Sequence, residues 1–144
     1  MFVVRAPKGP PIPLGEARFR VGGGVPSDQR DRPGVLRPVS AICAESLDAV
    51  AAALGVSVAP GASRRNLTVR GLALDALPRG STLLIGGAVF ELTEVCDACS
   101  RLETAIAPGA AACLTGRGGV ILSVREGGMV RVGDAVTVLH RPAT

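Results

Sequence analysis

Aromatic side chains are nearly missing from this chain: its 144 residues include no tryptophan and no tyrosine, and the phenylalanines are Phe2, Phe19 and Phe90. A core built under that shortage is filled with Val, Leu, Ile and Ala, which favours β-branched packing on a pleated surface. The same shortage argues against nucleic acid as a partner, because proteins that hold single strands stack the bases on aromatic rings. Lysine is scarcer still. Lys8 is the only one and sits in a proline-rich stretch, so pyridoxal phosphate, which needs a lysine for its Schiff base, is not expected on this chain. No uninterrupted apolar run approaches the roughly 20 residues that span a bilayer, so no membrane partner is expected. Met1-Phe2-Val3-Val4 runs straight into Arg5, Pro7, Lys8, Pro10 and Pro11. No signal peptide is read there, and Cys43, Cys96, Cys99 and Cys113 are expected as thiols in a reducing, cytoplasmic setting.

What the chain has is an apolar composition (47%) broken by 19 glycines and 11 prolines. Regular segments must then be short and separated by turns, as in a strand-rich barrel or sandwich. Residues 1–144 read as one domain, long enough to bury its core without a disulfide or metal. The net charge of +4 is carried almost wholly by arginine. Ordinary solubility accounts for such a charge, and it also suits a small anionic ligand, since a guanidinium fork matches phosphate oxygens.

Read in order, the pattern predicts strands at Phe2 to Arg5, Glu16 to Val21 and Val35 to Ile42. Ser27 to Gly34 is a charged loop, either solvated or a rim that meets an anion through Arg30 or Arg32. Ala44 to Leu54 is the one main helix, with Leu47, Val50, Ala51 and Leu54 on one stripe and Gly55 as its stop. Strands follow at Leu67 to Val69, Thr82 to Ile85 and Ala88 to Val95, the last two joined through Gly86-Gly87 as a hairpin. Pro108 to Leu114 predicts a short second helix with proline in its first turn. Val120 to Val124, Met129 to Val132 and Ala135 to Leu139 complete a mainly β chain, expected as a closed or nearly closed, mostly antiparallel barrel.

The chemistry concentrates where the Ala88 to Val95 strand ends, at Cys96-Asp97-Ala98-Cys99-Ser100-Arg101. If strand alternation continues, Cys96 points with Phe90 and Leu92 toward the core. Cys99 then falls beyond the ladder, on a loop, two residues before Arg101, whose positive charge favours the thiolate that attacks sulfur or binds a soft metal. Cys43 reads as a small buried hydrophobe. Three other readings of the cysteine pair stay open. A zinc site needs Cys43, Cys113 or His140 to converge on it. A dithiol redox pair normally opens a helix within alternating strands and helices, which are not read here. A non-catalytic β-barrel interaction module needs neither cysteine.

Arg65-Asn66-Leu67-Thr68-Val69-Arg70-Gly71-Leu72, Gly80 to Gly86, Cys96-x-x-Cys99, Gly116-Arg117-Gly118-Gly119-Val120 and Gly127-Gly128-Met129-Val130-Arg131-Val132-Gly133-Asp134 together resemble the MOSC domain, the C-terminal domain of molybdenum-cofactor sulfurases and a small stand-alone bacterial protein. The resemblance covers nearly the whole chain. It implies a barrel of the pyruvate-kinase type and a cysteine, here Cys99 with Cys96 secondary, that carries sulfur as a persulfide or ligates molybdenum of a pterin cofactor (molybdopterin). It further implies sulfurtransferase-type or molybdenum-dependent activity through Cys99, and a cysteine desulfurase or molybdoenzyme as partner. Arg65 with Asn66, Arg101 and Arg117 are the residues expected to hold the anionic cofactor. Asp28-Gln29-Arg30 departs from the family form, which carries a histidine after its Asp-Arg pair.

Overall fold

The computed structural model describes residues 1–143 apart from 5–8, 33, 60 and 97–99, with backbone alone at 100 and 101. Six strands form the main sheet: β4 (Val39–Cys43), β5 (Leu67–Val69), β6 (Thr82–Ile85), β7 (Ala88–Val95), β8 (Val120–Glu126) and β10 (Val136–His140), in the order β10-β6-β7-β8-β4-β5. Two small pairs flank it: β1 (Phe2–Val4) with β2 (Pro11–Pro13), and β3 (Glu16–Phe19) with β9 (Gly128–Arg131). Helices are few and short, α1 (Ala44–Leu54), α2 (Ser100–Ala105) and α3 (Ala110–Cys113), with one 3-10 turn at Leu74–Ala76.

The local code explains the long strands. In β7, Ala88, Phe90 and Leu92 are buried while Val89, Glu91 and Thr93 are only half-buried, the period of two that presents one face to a core. β4 is buried at all of its positions, which matches a strand covered on both faces. Helix α1 ends where Gly55 adopts φ +65° and donates its N–H to the Ala51 carbonyl, a left-handed cap that costs glycine little. β4, α1 and β5 make a strand-helix-strand crossover, since β5 runs parallel to β4 with Ala41 beside Leu67. All other pairings in the sheet are antiparallel.

The expected closure does not occur. Among the described residues, the sheet curls into half a barrel whose edge strands, β10 and β5, each pair on one side only. The crossover places β5 outside β4, and β1, β2, β3 and β9 pair separately as β1-β2 and β3-β9. Helix α2 is a second difference: the expected short helix is α3, and α2 precedes it without having been read from the sequence. The proline-rich 11–13 segment also pairs as a strand, at a sheet edge where a missing N–H is tolerated.

One core lies on the face of the sheet lined by Val39, Ala41, Leu83, Phe90, Leu92, Val120 and Leu122, against Phe19 and Val130 of the β3-β9 pair. Phe19 and Phe90 meet edge to face, with centroids 5.1 Å apart, a favoured aromatic geometry. A smaller cluster of Val50, Leu102, Ala110 and Leu114 joins the three helices.

Candidate functional site

The face opposite the aromatic core carries the site. A register shift between Leu92 and Glu94 sets Leu92 opposite Leu122 but Glu94 opposite Ile121. Such a bulge reverses the alternation, so Glu94, and Cys96 two residues on, fall on the face of Ile121 and of its other cross-strand partner Ser40. Cys96 is buried, yet it does not share the Phe90 and Leu92 face that unbroken alternation implied. Burial pushes its thiol pKa up, while Arg65, Arg37 and Arg30 pull in the other direction.

A cleft of about 830 Å³ opens on this side. Arg30, Arg32, Arg64 and Arg65 line it, with Asp28 as the only carboxylate among the lining residues described. Val4, Val35, Leu102 and Ala105 give it an apolar wall, and Gln29, Thr104 and Ser63 add polar groups. Four guanidinium groups around one carboxylate give this cleft a net positive lining. Glu94 does not contribute to that balance because Arg37 holds it in a bidentate pair.

Two devices hold the arginines. The first is a buried joint around Asp28. Its Oδ2 accepts from the Val4 N–H (2.8 Å) and from Asn66 Nδ2 (3.0 Å), and its Oδ1 accepts from the Arg30 N–H (2.9 Å). Asn66 Nδ2 also donates to the Phe2 carbonyl, while Oδ1 accepts from the Ser40 N–H and hydroxyl. An amide offers two donors and two acceptor sites, and here all are used. The 28–32 loop is thus anchored by its first residue to β1 and to the start of β5, rather than being a solvated connection.

The second device is the turn at Gly118-Gly119. Arg65 Nε and Nη2 both donate to the Gly118 carbonyl, at 3.1 and 2.9 Å. The Gly119 carbonyl accepts from the Cys96 N–H at 2.7 Å. Gly119 has φ +102°, and a Cβ there would collide with the Ala41 carbonyl, so only glycine serves.

Helix α2 forms the far wall and is tied to α3 by one side chain. Glu103 accepts from the N–H groups of Gly109 (3.0 Å) and Ala111 (2.9 Å), capping α3, and these bonds hold its carboxyl below the usual range. A carboxyl with a lowered folded pKa stabilises above its unfolded pKa, and that stability is lost as pH falls through the folded value. Glu103→Gln, which keeps a single carbonyl acceptor, is therefore expected to lower Tm at neutral pH and to flatten the loss of Tm below about pH 4. Thermal scans against pH check this, and parallel acid limbs in both proteins would remove the assignment.

Of the expected site residues, the structure brings Arg65 and Asn66 to the cleft, and the charge of Arg65 acts on Cys96. Asn66 acts there through Asp28, having no hydrogen-bonding capacity left over. Arg117 is exposed and lines a different depression with Cys43, Glu45 and Asp75. Cys99 lies outside the described residues, as does the side chain of Arg101. Arg30 and Arg32, named in the sequence as one reading of an anion-meeting rim, do line the cleft, while Asp28 and Arg64 join it from the charged loop and a turn without having been singled out. Among the described residues, no cluster of three or more His, Cys, Asp or Glu is placed to hold a metal ion, and no helix is long and apolar enough to cross a membrane.

The fold is shared with solved structures. The YuaD protein from Bacillus subtilis superposes with a TM-score of 0.78 at 20% identity, over 99% of this chain and 93% of that one. YiiM from Escherichia coli gives 0.73 at 19% identity, over 99% of this chain and 69% of that one. YiiM from Geobacillus stearothermophilus gives 0.65 at 21%, over 72% of this chain and 55% of that one. No curated protein matches the sequence. The MOSC domain model matches residues 28–137, a span that begins at the buried Asp28 and includes every arginine of the cleft, and the chain therefore belongs to the MOSC domain family, which is associated with molybdenum-cofactor sulfurase-type proteins.

Proposed function

We propose that the chain is a molybdenum-cofactor-related protein in which the arginine cleft binds a small anionic ligand and Cys99 is the working thiol. The observation that carries this is the convergence of Arg30, Arg64 and Arg65 on one cleft whose charge also acts on Cys96, three residues before Cys99. The residues present suit a phosphate-bearing pterin. Arg30, Arg32, Arg64 and Arg65 would hold the anion, and the apolar wall of Val4, Val35, Leu102 and Ala105 suits a ring system. When bound, that cofactor supplies redox and oxygen-transfer chemistry at molybdenum, with a cysteine thiolate as a soft ligand.

The same thiol also serves sulfur transfer. The Cys99 thiolate attacks the outer sulfur of a persulfide on a cysteine desulfurase, a new sulfur–sulfur bond forms on Cys99, and the desulfurase thiolate leaves. No outside oxidant is required, because the transferred sulfur arrives at the oxidation level it keeps. Cys96 is the poorer nucleophile of the pair, since burial keeps it protonated.

The test has two arms: incubation with molybdenum cofactor, and incubation with a cysteine desulfurase fed labelled sulfur. Retention in one arm chooses the role. Cys99→Ser is expected to abolish that retention while Cys96→Ser only weakens it, and mild alkylation near neutral pH should label Cys99 well before Cys96. Full retention in Cys99→Ser would leave the barrel as an interaction module.

A further inference from the structure

Asp75 is used by neither the core nor the cleft, yet its carboxylate is held in a specific place. It follows Leu74, which is fully buried, in the 3-10 turn Leu74–Ala76 and faces the second depression. One oxygen, Oδ1, accepts from the Gly119 N–H at 3.1 Å. The other, Oδ2, lies 3.8 Å from the Cys43 sulfur, which itself donates to the Leu72 carbonyl and accepts from the Leu74 N–H. These contacts hold the start of the 3-10 turn, and Asp75 is presented to a single backbone group outside its own segment.

That group belongs to the turn on which the site hangs. Gly119 accepts from the Cys96 N–H through its carbonyl, and Gly118 carries the Arg65 fork through its own. Without the carboxylate, the part-buried Gly119 N–H loses its protein partner, and either water entering from the depression or a turn of the backbone must satisfy it. The Gly119 N–H shares its peptide plane with the Gly118 carbonyl, so turning it moves the carbonyl that fixes Arg65 and changes the φ of Gly119, through which the next carbonyl, the acceptor for Cys96, is set.

We infer that Asp75 is a positioning residue: from outside the cleft it fixes the Gly118-Gly119 turn, and through that turn sets both the Arg65 guanidinium and the Cys96 backbone. The part concerning ligand affinity rests on the arginine cleft being the anion site, while the part concerning Cys96 does not.

The experiment compares the full chain with Asp75→Ala, Asp75→Asn and, as a control for general destabilisation, Val130→Ala, a core change in β9 remote from the turn. Cys96 alkylation by iodoacetamide is followed by mass spectrometry of the separated peptides, so that labelling of Cys43 is read separately. Inorganic phosphate binding is followed by calorimetry. Loss of one charge-assisted bond predicts about tenfold faster labelling of Cys96 and about tenfold weaker phosphate binding in Asp75→Ala. Asp75→Asn keeps an acceptor for the Gly119 N–H and should stay within about threefold of the native protein on both readings. Val130→Ala should lower Tm without changing the Cys96 labelling rate at a temperature well below its own transition. Unchanged Cys96 labelling in Asp75→Ala, or an equal rise in Val130→Ala, overturns the inference. If the native chain does not bind phosphate, the cleft reading fails instead, and Cys96 labelling alone decides the role of Asp75.

Discussion

Arg65→Ala is expected to weaken inorganic phosphate binding by about 10- to 100-fold, the effect of removing a charged donor from an anion site. Arg117→Ala should change it by less than about twofold, since an exposed charge outside the cleft is screened by solvent and salt. Arg117 lies in a glycine-rich run and Arg65 beside a turn, and the two end in different depressions. Arg65 also does two jobs. Two of its nitrogens hold the Gly118 carbonyl, which aims the remaining donors of a rigid fork. Arg65→Lys keeps the charge and loses the fork, so its affinity should fall between those of the native and alanine proteins. Calorimetric titration of the three variants checks the order. Equal losses for Arg65→Ala and Arg117→Ala would move the anion site away from the cleft.

Asn66→Ala is expected to cost about 3 kcal/mol of stability, seen as a fall in Tm of about 10 °C. The cost comes from what the missing amide leaves behind. The Ser40 N–H and the Phe2 carbonyl lose a partner, and Asp28 keeps its buried charge with one donor fewer. Asn66→Asp should be worse, because a second carboxylate would sit about 3 Å from Asp28 Oδ2, and like charges at that separation cannot both stay ionised in a buried site. Its Tm should recover in part as pH falls through the carboxylate range, when the pair can share a proton. A calorimetric scan over pH separates this from a simple packing defect, which would lower Tm equally at every pH. The Asn66 effect should also reach the cleft, since the freed loop carries Arg30.

Much of the fold was legible because its determinants are local. The alternation in Ala88 to Val95, the αL glycine after Leu54 and the paired glycines before Ala88 act within a few residues of themselves. The face of Cys96 was not, because the bulge between Leu92 and Glu94 is a property of how β7 meets β8. Helix α2 was not legible either. It is held by packing of Leu102 in the small cluster and by Glu103 reaching across to α3.

The sequence by itself determined the strand-rich class, the main helix and its stop, the arginine bias that favours an anion, and the family motifs. Only the tertiary structure decided that the sheet stays open, because closure depends on which edges find partners and not on any strand's own pattern. Tertiary structure alone also separated Arg65 from Arg117 and joined Asp28 to Asn66 and Asp75 to Gly119. Those pairs lie 38 and 44 residues apart in the chain, and a hydrogen bond over that distance leaves no periodic trace in sequence. It exists only where packing has already brought the two backbones together.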